Sequence, residues 1–266
     1  MSIIIILLLA GVVFYPGKST KEQIAPLKNR WYAHRGLHTP DKTIPENSMK
    51  AFKRAVAMGY GIELDVQLSK DEQVIVFHDA ELKRMTGVCK KVEQCTWNEM
   101  SAFRLCKTEE KIPLFEEVLA EIDGRVPIIV ELKRGKRNTI ICEKVAMHLK
   151  NYNGSICVES FDPRIVRWFR KNEPHILRGQ LTQSYQQYKK DGVNAIGAFL
   201  LSRCFGNFIA RPQFVAWGQG RKNIMVKAIE RAGRLKVFWT AQDAESHAAL
   251  KEQYDAIIFE YSEPQF

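Results

Sequence analysis

A single recurrence constrains the fold of this chain more than anything else in it. From residue 31 to the C-terminus, short apolar strands alternate with helical stretches. The strands start near Trp31, Tyr60, Pro127, Ser155, Ile176, Pro212, Leu235 and Asp255. Between them lie runs with apolar residues at helical spacing, such as Met49, Phe52, Ala55, Val56 and Met58, or Ile140, Ile141, Val145 and Leu149. Further helices are expected over 97–105, from Pro113, from Asp162-Pro163 through Phe169, over 196–208, over 223–232 and over 243–253. Eight strand units in 266 residues predict an α/β fold, a (β/α)8 TIM barrel filling residues 31–266. A doubly wound open sheet is the alternative, but no G-x-G-x-x-G motif supports it.

One stretch breaks the one-strand-per-unit rule. Residues 62–68 alternate, with Glu63, Asp65 and Gln67 on one face and Ile62, Leu64, Val66 and Leu68 on the other. A second strand, 74–77, ends at His78, and the five residues between are too few for a parallel crossover. The pair is therefore an antiparallel hairpin that returns His78 to the level of Asp65. On an exposed edge the two acids would be unremarkable. Facing a cavity they repel one another and call for a cation, and hard divalent ions such as Mg²⁺ or Ca²⁺ prefer such oxygens.

The other charged strand ends fit the second reading. Trp31-Tyr32-Ala33-His34-Arg35-Gly36 ends in a histidine and an arginine. The strand at 126–133 ends in Glu131-Leu132-Lys133, with Glu131 and Lys133 on one face. In a barrel the active groups sit at the C-terminal ends of the strands. His34, Arg35, Glu63, Asp65, Glu131 and Lys133 all fall there, and the hairpin adds His78. Ser48 or Asn47 is placed to cap the helix that begins at Met49, and Gly59 marks its end.

As an ordered set, His34-Arg35-Gly36, Pro45-Glu46-Asn47-Ser48, Glu63-Leu64-Asp65-Val66, Val76-Phe77-His78-Asp79 and Glu131-Leu132-Lys133 resemble the glycerophosphodiester phosphodiesterase family. The resemblance covers residue 31 to the C-terminus. It implies a barrel that hydrolyses glycerophosphodiesters to an alcohol and sn-glycerol 3-phosphate with a bound divalent cation. It further implies that Glu63, Asp65 and Glu131 are metal ligands and that His34 and His78 are the acid–base pair. Arg35 and Lys133 match phosphate-contacting positions, and Glu46 and Asn47 match a loop beside the site. Two departures lie at the mouth: Trp239-Thr240 is followed by Ala241-Gln242, and the last strand ends in Phe259-Glu260-Tyr261.

The chemistry agrees. Attack on a phosphodiester builds charge on its non-bridging oxygens, which a divalent ion neutralises. Arg35 grips such oxygens with a fork and Lys133 supplies a point charge. Two imidazoles suit the transfer of one proton from the nucleophile and another to the leaving alkoxide near neutral pH. Two other functions stay open: a lysophospholipase D-type hydrolase acting on membrane lysolipids, and a non-enzymatic membrane-tethered module binding phosphorylated ligands.

The formal net charge of +10 favours anionic partners, though no nucleic-acid recognition motif is present. Residues 3–15 are almost continuously apolar and end at Pro16-Gly17. The reading is an N-terminal hydrophobic anchor over 1–17 and a polar linker over 18–30. Lys18, Lys21, Lys28 and Arg30 then favour the cytoplasmic side for the catalytic part. The six cysteines match no zinc spacing and read as mostly reduced, with a Cys89–Cys95 loop disulfide as the alternative.

Overall fold

The structure is a computed structural model that describes residues 17–264, apart from Gln219, Arg221 and 232–234. Eight parallel strands close on themselves: β1 (Arg30–His34), β2 (Gly61–Leu68), β4 (Ile128–Leu132), β5 (Ile156–Ser160), β6 (Leu177–Thr182), β7 (Phe214–Trp217), β8 (Leu235–Ala241) and β9 (Ala256–Phe259). β9 pairs with β1, and β1 with the first residues of β2, so no edge remains in the ring. The ninth strand, β3 (Val74–Val76), returns antiparallel on the far end of β2, with Val66 opposite Val76. This is the (β/α)8 barrel with its hairpin, as the strand spacing predicts.

Two apolar layers hold it. Inside the ring, Tyr32, Ile129, Cys157, Leu181, Phe214 and Val237 pack together, all buried. Gly179 has no side chain because one would collide with the Phe214 ring, 2.1 Å from where its Cβ would stand. Outside, the opposite faces of the strands meet the helices. Ile62, Leu64 and Val66 of β2 pack with Phe52 of the helix Met49–Ala57 and Phe115 of Phe115–Ile122. Burying both faces is what a parallel barrel demands. β2 still alternates, because the inward end of its polar face is the mouth. Residues beyond β3 form a satellite core, in which Phe77, Leu82, Met85, Met100 and Leu105 cluster beside the barrel.

The expected linker is corrected. Over 18–30, Thr20 caps a helical turn, Lys21–Ile24, that runs into a 3-10 turn, Ala25–Leu27. Ile24 and Leu27 are buried against the interior layer, and the Tyr32 hydroxyl donates to the Leu27 carbonyl at 3.1 Å. These two apolar side chains close the bottom of the barrel, so the segment belongs to the barrel domain. The anchor expected over 1–17 lies outside the described residues up to Pro16. Among the described residues no helix is long and apolar enough to cross a membrane.

Several helices are shorter than expected, and Lys83–Thr86 and Tyr185–Lys190 join Lys21–Ile24 as helices that the sequence reading does not contain. The stretch 97–105 makes one turn, Trp97–Met100, after which the chain bends so that Leu105 joins the satellite core. The stretch 196–208 divides into Ala195–Ser202 and Asn207–Ala210, because Cys204 has φ of 58° and the chain must turn there. Tyr185–Lys190 is a helix that polar composition concealed. All six cysteines are free thiols; Cys89 is exposed while Cys95 is buried.

Candidate active site

The strand register brings the candidate residues together. His34 lies level with Glu63 across β1 and β2, and Asp65 level with Glu131 across β2 and β4. β3 then folds the chain back, with the Phe77 amide donating to the Asp65 carbonyl at 2.9 Å, and His78 follows. A cavity of about 210 Å³ opens among His34, Arg35, Glu63, His78, Glu131 and Lys133 on one side. Phe161, Leu181, Trp239 and Ile258 form the apolar part of its other side, which also carries Glu159, Gln183 and Asp191.

The acids are buried and crowded. One oxygen from each of Glu63, Asp65 and Glu131 lies within 4.8 Å of the others. Lys133 Nζ bridges two of them, at 2.7 Å from Asp65 Oδ1 and 2.8 Å from Glu131 Oε1. Burial works against the charged form of Asp65, but Lys133, His78 and Arg35 overrule it and hold the carboxyl well below its ordinary range. Glu63 goes the other way: burial, then repulsion from Asp65, Glu131 and Glu159, pushes it well up. The cluster sets three carboxyl groups against one lysine and one arginine, and all its donors are carboxyl oxygens, the set a hard cation takes. The residues present therefore fit a divalent ion.

The loop 45–48 supports these groups. Asn47, at φ of 53°, donates through Nδ2 to Asp65 Oδ2 at 2.8 Å and fixes that carboxylate. Ser48, not Asn47, caps the helix Met49–Ala57 by accepting the Ala51 amide. Arg35 is also left-handed, at φ of 54°; its amide donates to Glu63 Oε2 at 3.1 Å and its Nη1 to Glu46 Oε1 at 2.7 Å. Its Nε stands 3.3 Å from Asp65 Oδ2. Arg35 thus reaches the cavity with its guanidinium already braced by two acids.

The histidines sit in different surroundings. His34 is partly buried, its side chain 15% exposed, with Nε2 3.8 Å from Glu63 Oε2 and Nδ1 3.4 Å from Glu260 Oε1. Burial first, and then Arg35, lower its pKa from the ordinary 6.5, so its imidazole is neutral at neutral pH. His78 is a third exposed, and its Nδ1 lies 2.8 Å from Asp79 Oδ1. Asp79 is held ionised: burial opposes this, but His78 and Arg84 outweigh it. An ionised carboxylate only accepts, so Nδ1 carries the proton and Nε2 is left for the cavity.

Three residues escaped the sequence reading. Glu159 ends β5 level with Glu131, is 2% exposed, and has an oxygen, Oε2, without a hydrogen-bond partner. Burial and the neighbouring Glu131 push its pKa well up. The signal was available, since it is another acid at the end of an apolar strand. Glu260, noted only as a departure at the last strand, faces His34 and lies 3.2 Å from His38 Nε2. Arg84 grips Asp79 and Glu46 together, with Nε to Asp79 Oδ2 at 2.6 Å and Nη1 to Glu46 Oε2 at 2.7 Å. Nothing local in the sequence marks it, because its partners lie in separate loops.

The comparisons agree with this geometry. The sequence profile of the glycerophosphoryl diester phosphodiesterase family matches residues 34–263. This chain belongs to that family. As a glycerophosphodiester phosphodiesterase it is a phosphoric diester hydrolase. The YhdW protein of Bacillus subtilis is 31% identical over 240 residues, covering 86% of this chain and 93% of its own length. Lysophospholipase D GDPD1 of Rattus norvegicus is 34% identical over 151 residues, covering 52% of this chain and 46% of that protein. A phosphodiesterase of Oleispira antarctica, solved in complex with the product sn-glycerol-3-phosphate, superposes with a TM-score of 0.72 at 20% identity. The match covers 87% of this chain and 93% of that one, and it establishes the shared fold. Of the motifs quoted from the sequence, His34, Arg35, Glu63, His78, Glu131 and Lys133 line the cavity, and Glu46 and Asn47 stand behind Arg35 and Asp65.

Proposed function

We propose that this phosphodiesterase cleaves glycerophosphodiesters to an alcohol and sn-glycerol 3-phosphate by two-histidine acid–base catalysis. The observation that carries the reading is the convergence of His34 and His78 on one cavity with the buried acids and Lys133. In this reading Glu63, Asp65 and Glu131 hold a divalent cation, Mg²⁺ or Ca²⁺, at the oxygens they crowd together. When bound, that cation supplies Lewis-acid neutralisation of the phosphate oxygens.

His34, neutral and partly buried, takes the proton from the attacking hydroxyl, which belongs either to water or to the substrate's own neighbouring carbon; in the second case a cyclic phosphate forms, which water then opens to sn-glycerol 3-phosphate. Its new positive charge lies against Glu63 and Glu260. His78 acts as the acid in its doubly protonated form: Nδ1–H stays on Asp79, and the second proton, on Nε2, passes to the departing alkoxide as the phosphorus–oxygen bond breaks. Arg35 and Lys133 turn toward the phosphate oxygens, and Asn47 and Glu46 keep Asp65 and Arg35 positioned.

The test is substitution of each histidine. His34→Ala and His78→Ala should each lower kcat by roughly 10²–10⁴, the usual worth of a positioned acid or base. Both variants should still bind Mg²⁺ or Ca²⁺ by calorimetry. Normal turnover in either one would remove the pair from the mechanism.

A second reading, lysophospholipase D-type hydrolysis of membrane lysolipids, has its own support. A cavity of about 470 Å³ shares His78, Glu131 and Lys133 with the site and continues past Phe161, Tyr188, Val193 and Leu201, an apolar route fit for an acyl chain. The rat relative carries that activity in its name. The apolar segment 1–17 would hold such an enzyme at a membrane, with the catalytic part on the cytoplasmic side.

A further inference from the structure

The connection between β6 and β7 leaves apolar surface uncovered. The helix Ala195–Ser202 has the sequence AIGAFLLS, and it buries only Ala198 and Ser202. Ile196 is 75% exposed, and Phe199 and Leu200 are exposed beside it. Phe205 stacks on Phe199 with ring centroids 6.3 Å apart, and Phe208, 56% exposed, follows in the next helical turn. A run of large exposed apolar side chains of this kind marks an interaction surface.

Its position and its charge say what covers it. At the upper end the Leu201 carbonyl accepts from the hydroxyl of Thr182, the last residue of β6, and Val193 and Leu201 line the cavity that reaches His78. At the lower end Arg211 and Phe208 stand beside Gly17 and Lys18, where the Gly17 amide donates to the Pro212 carbonyl at 2.8 Å. The strip therefore runs from the reaction mouth down the barrel wall to the point where the apolar residues 3–15 precede the fold. Between Asp191 and Glu230 the sequence has no acidic residue and five bases; of the described ones Lys222 is paired with Glu230 at 2.6 Å, which leaves Arg203, Arg211 and Lys227. Arg203 lies 3.9 Å from the centre of the Phe199 ring, its charge at the edge of the apolar patch. The adjoining helix Pro163–Asn172, which packs against Asn207–Ala210, adds Arg167 and Arg170.

We infer that the strip formed by Ile196, Phe199, Leu200, Phe205 and Phe208 docks on an anionic lipid surface. Apolar side chains ringed by arginine and lysine are the composition of an interfacial segment. The bases attract the lipid phosphates while the rings enter the acyl boundary, and the mouth at Leu201 is brought to the bilayer. A second copy of this chain fits less well. A twofold interface sets a patch against itself, which here would oppose bases to bases with no acid between them. The inference stands whichever phosphodiester the site cleaves.

The experiment therefore avoids turnover. Phe199→Trp in the full chain places a reporter on the strip, read as a difference spectrum against the wild type. With vesicles of equimolar phosphatidylglycerol and phosphatidylcholine, the added emission should shift to the blue. Brominated phosphatidylcholine should quench most of it, and salt should weaken the effect. Adding Ile196→Asp and Phe208→Asp should abolish both changes without altering hydrolysis of a water-soluble glycerophosphodiester. An unshifted, unquenched reporter overturns the inference, even if the protein sediments with the vesicles. So does light scattering that finds a dimer dissolved by the two aspartates, since a second copy would then be the occupant.

Discussion

The two sides of the barrel mouth are built on opposite principles. On the side of β1, β2 and β4, charge is set against charge: Glu46 between Arg35 and Arg84, Asp65 among Asn47, Arg35 and Lys133, and Glu131 on Lys133. On the side of β5 to β9, Phe161, Leu181, Trp239 and Ile258 make most of the wall, with Phe161 edge-on to Trp239 at 5.7 Å, and only Glu159, Gln183 and Asp191 interrupt it. The charged side leaves little freedom, because each group is oriented by the next. The apolar side sets shape and desolvation and tolerates exchange. The difference separates chemistry from selection, and it predicts unequal costs for disturbing the two.

The largest cost falls on the link between Asp65 and Glu131. Lys133→Met removes the ammonium that bridges them, leaving buried Glu131 without its paired cation and Asp65 with Arg35 alone at 3.3 Å. Removing one partner from such a group costs about 3–5 kcal/mol. Thermal melting should fall accordingly, with loss of turnover. Added Mg²⁺ or Ca²⁺ should raise the melting temperature of the variant more than that of the wild type, because the ion replaces the missing charge. Equal or no recovery with either ion would mean that the three acids do not form a cation site.

A smaller cost falls on the clamp at Arg84. Burial disfavours the charged form of Glu46, yet Arg84 and Arg35 bring its carboxyl from the ordinary 4.5 down to about 2. A depressed acid contributes stability that is fully present above pH 4.5 and is lost as pH falls toward 2. Arg84→Gln removes the two forked bonds to Glu46 and Asp79. Arg84 is 40% exposed, so solvent screens it, and the loss at neutral pH should be about 1–2 kcal/mol. Acid unfolding monitored by circular dichroism should begin at a higher pH in the variant. Superimposable acid transitions would show that the clamp does not hold Glu46.

How much of this was readable from residues alone follows the same division. Local motifs such as Glu63-Leu64-Asp65 and Glu131-Leu132-Lys133 carry their meaning in their spacing, since a two-residue period and a strand end suffice to aim them at the mouth. The hairpin was legible for the same reason, because five residues cannot cross over. Glu159 obeyed the rule used for Glu131 and was passed over only because no second charged residue follows it on its face. Arg84 could not be found, since it joins Glu46 to Asp79 across loops whose approach only the closed barrel creates. Residues 18–30 misled through composition: Ile24 and Leu27 are two apolar side chains in a polar run, and only the open bottom of the ring gives them a place.

The smallest effect belongs to the apolar wall. Phe161 borders both the reaction cavity and its extension past Tyr188 and Leu201. Phe161→Leu keeps the site apolar but removes the edge contacts to Trp239 and Tyr188, worth about 0.5–1.5 kcal/mol each. No proton donor or charged group moves, so kcat for a glycerophosphodiester should stay near that of the wild type while KM rises several-fold. If the extension takes an acyl chain, the ratio of kcat/KM for a lysophospholipid over glycerophosphocholine should change by more than either constant for glycerophosphocholine alone. A fall in kcat as large as that expected for His34→Ala would erase the distinction between the two sides, because it would place the aromatic wall inside the chemical step.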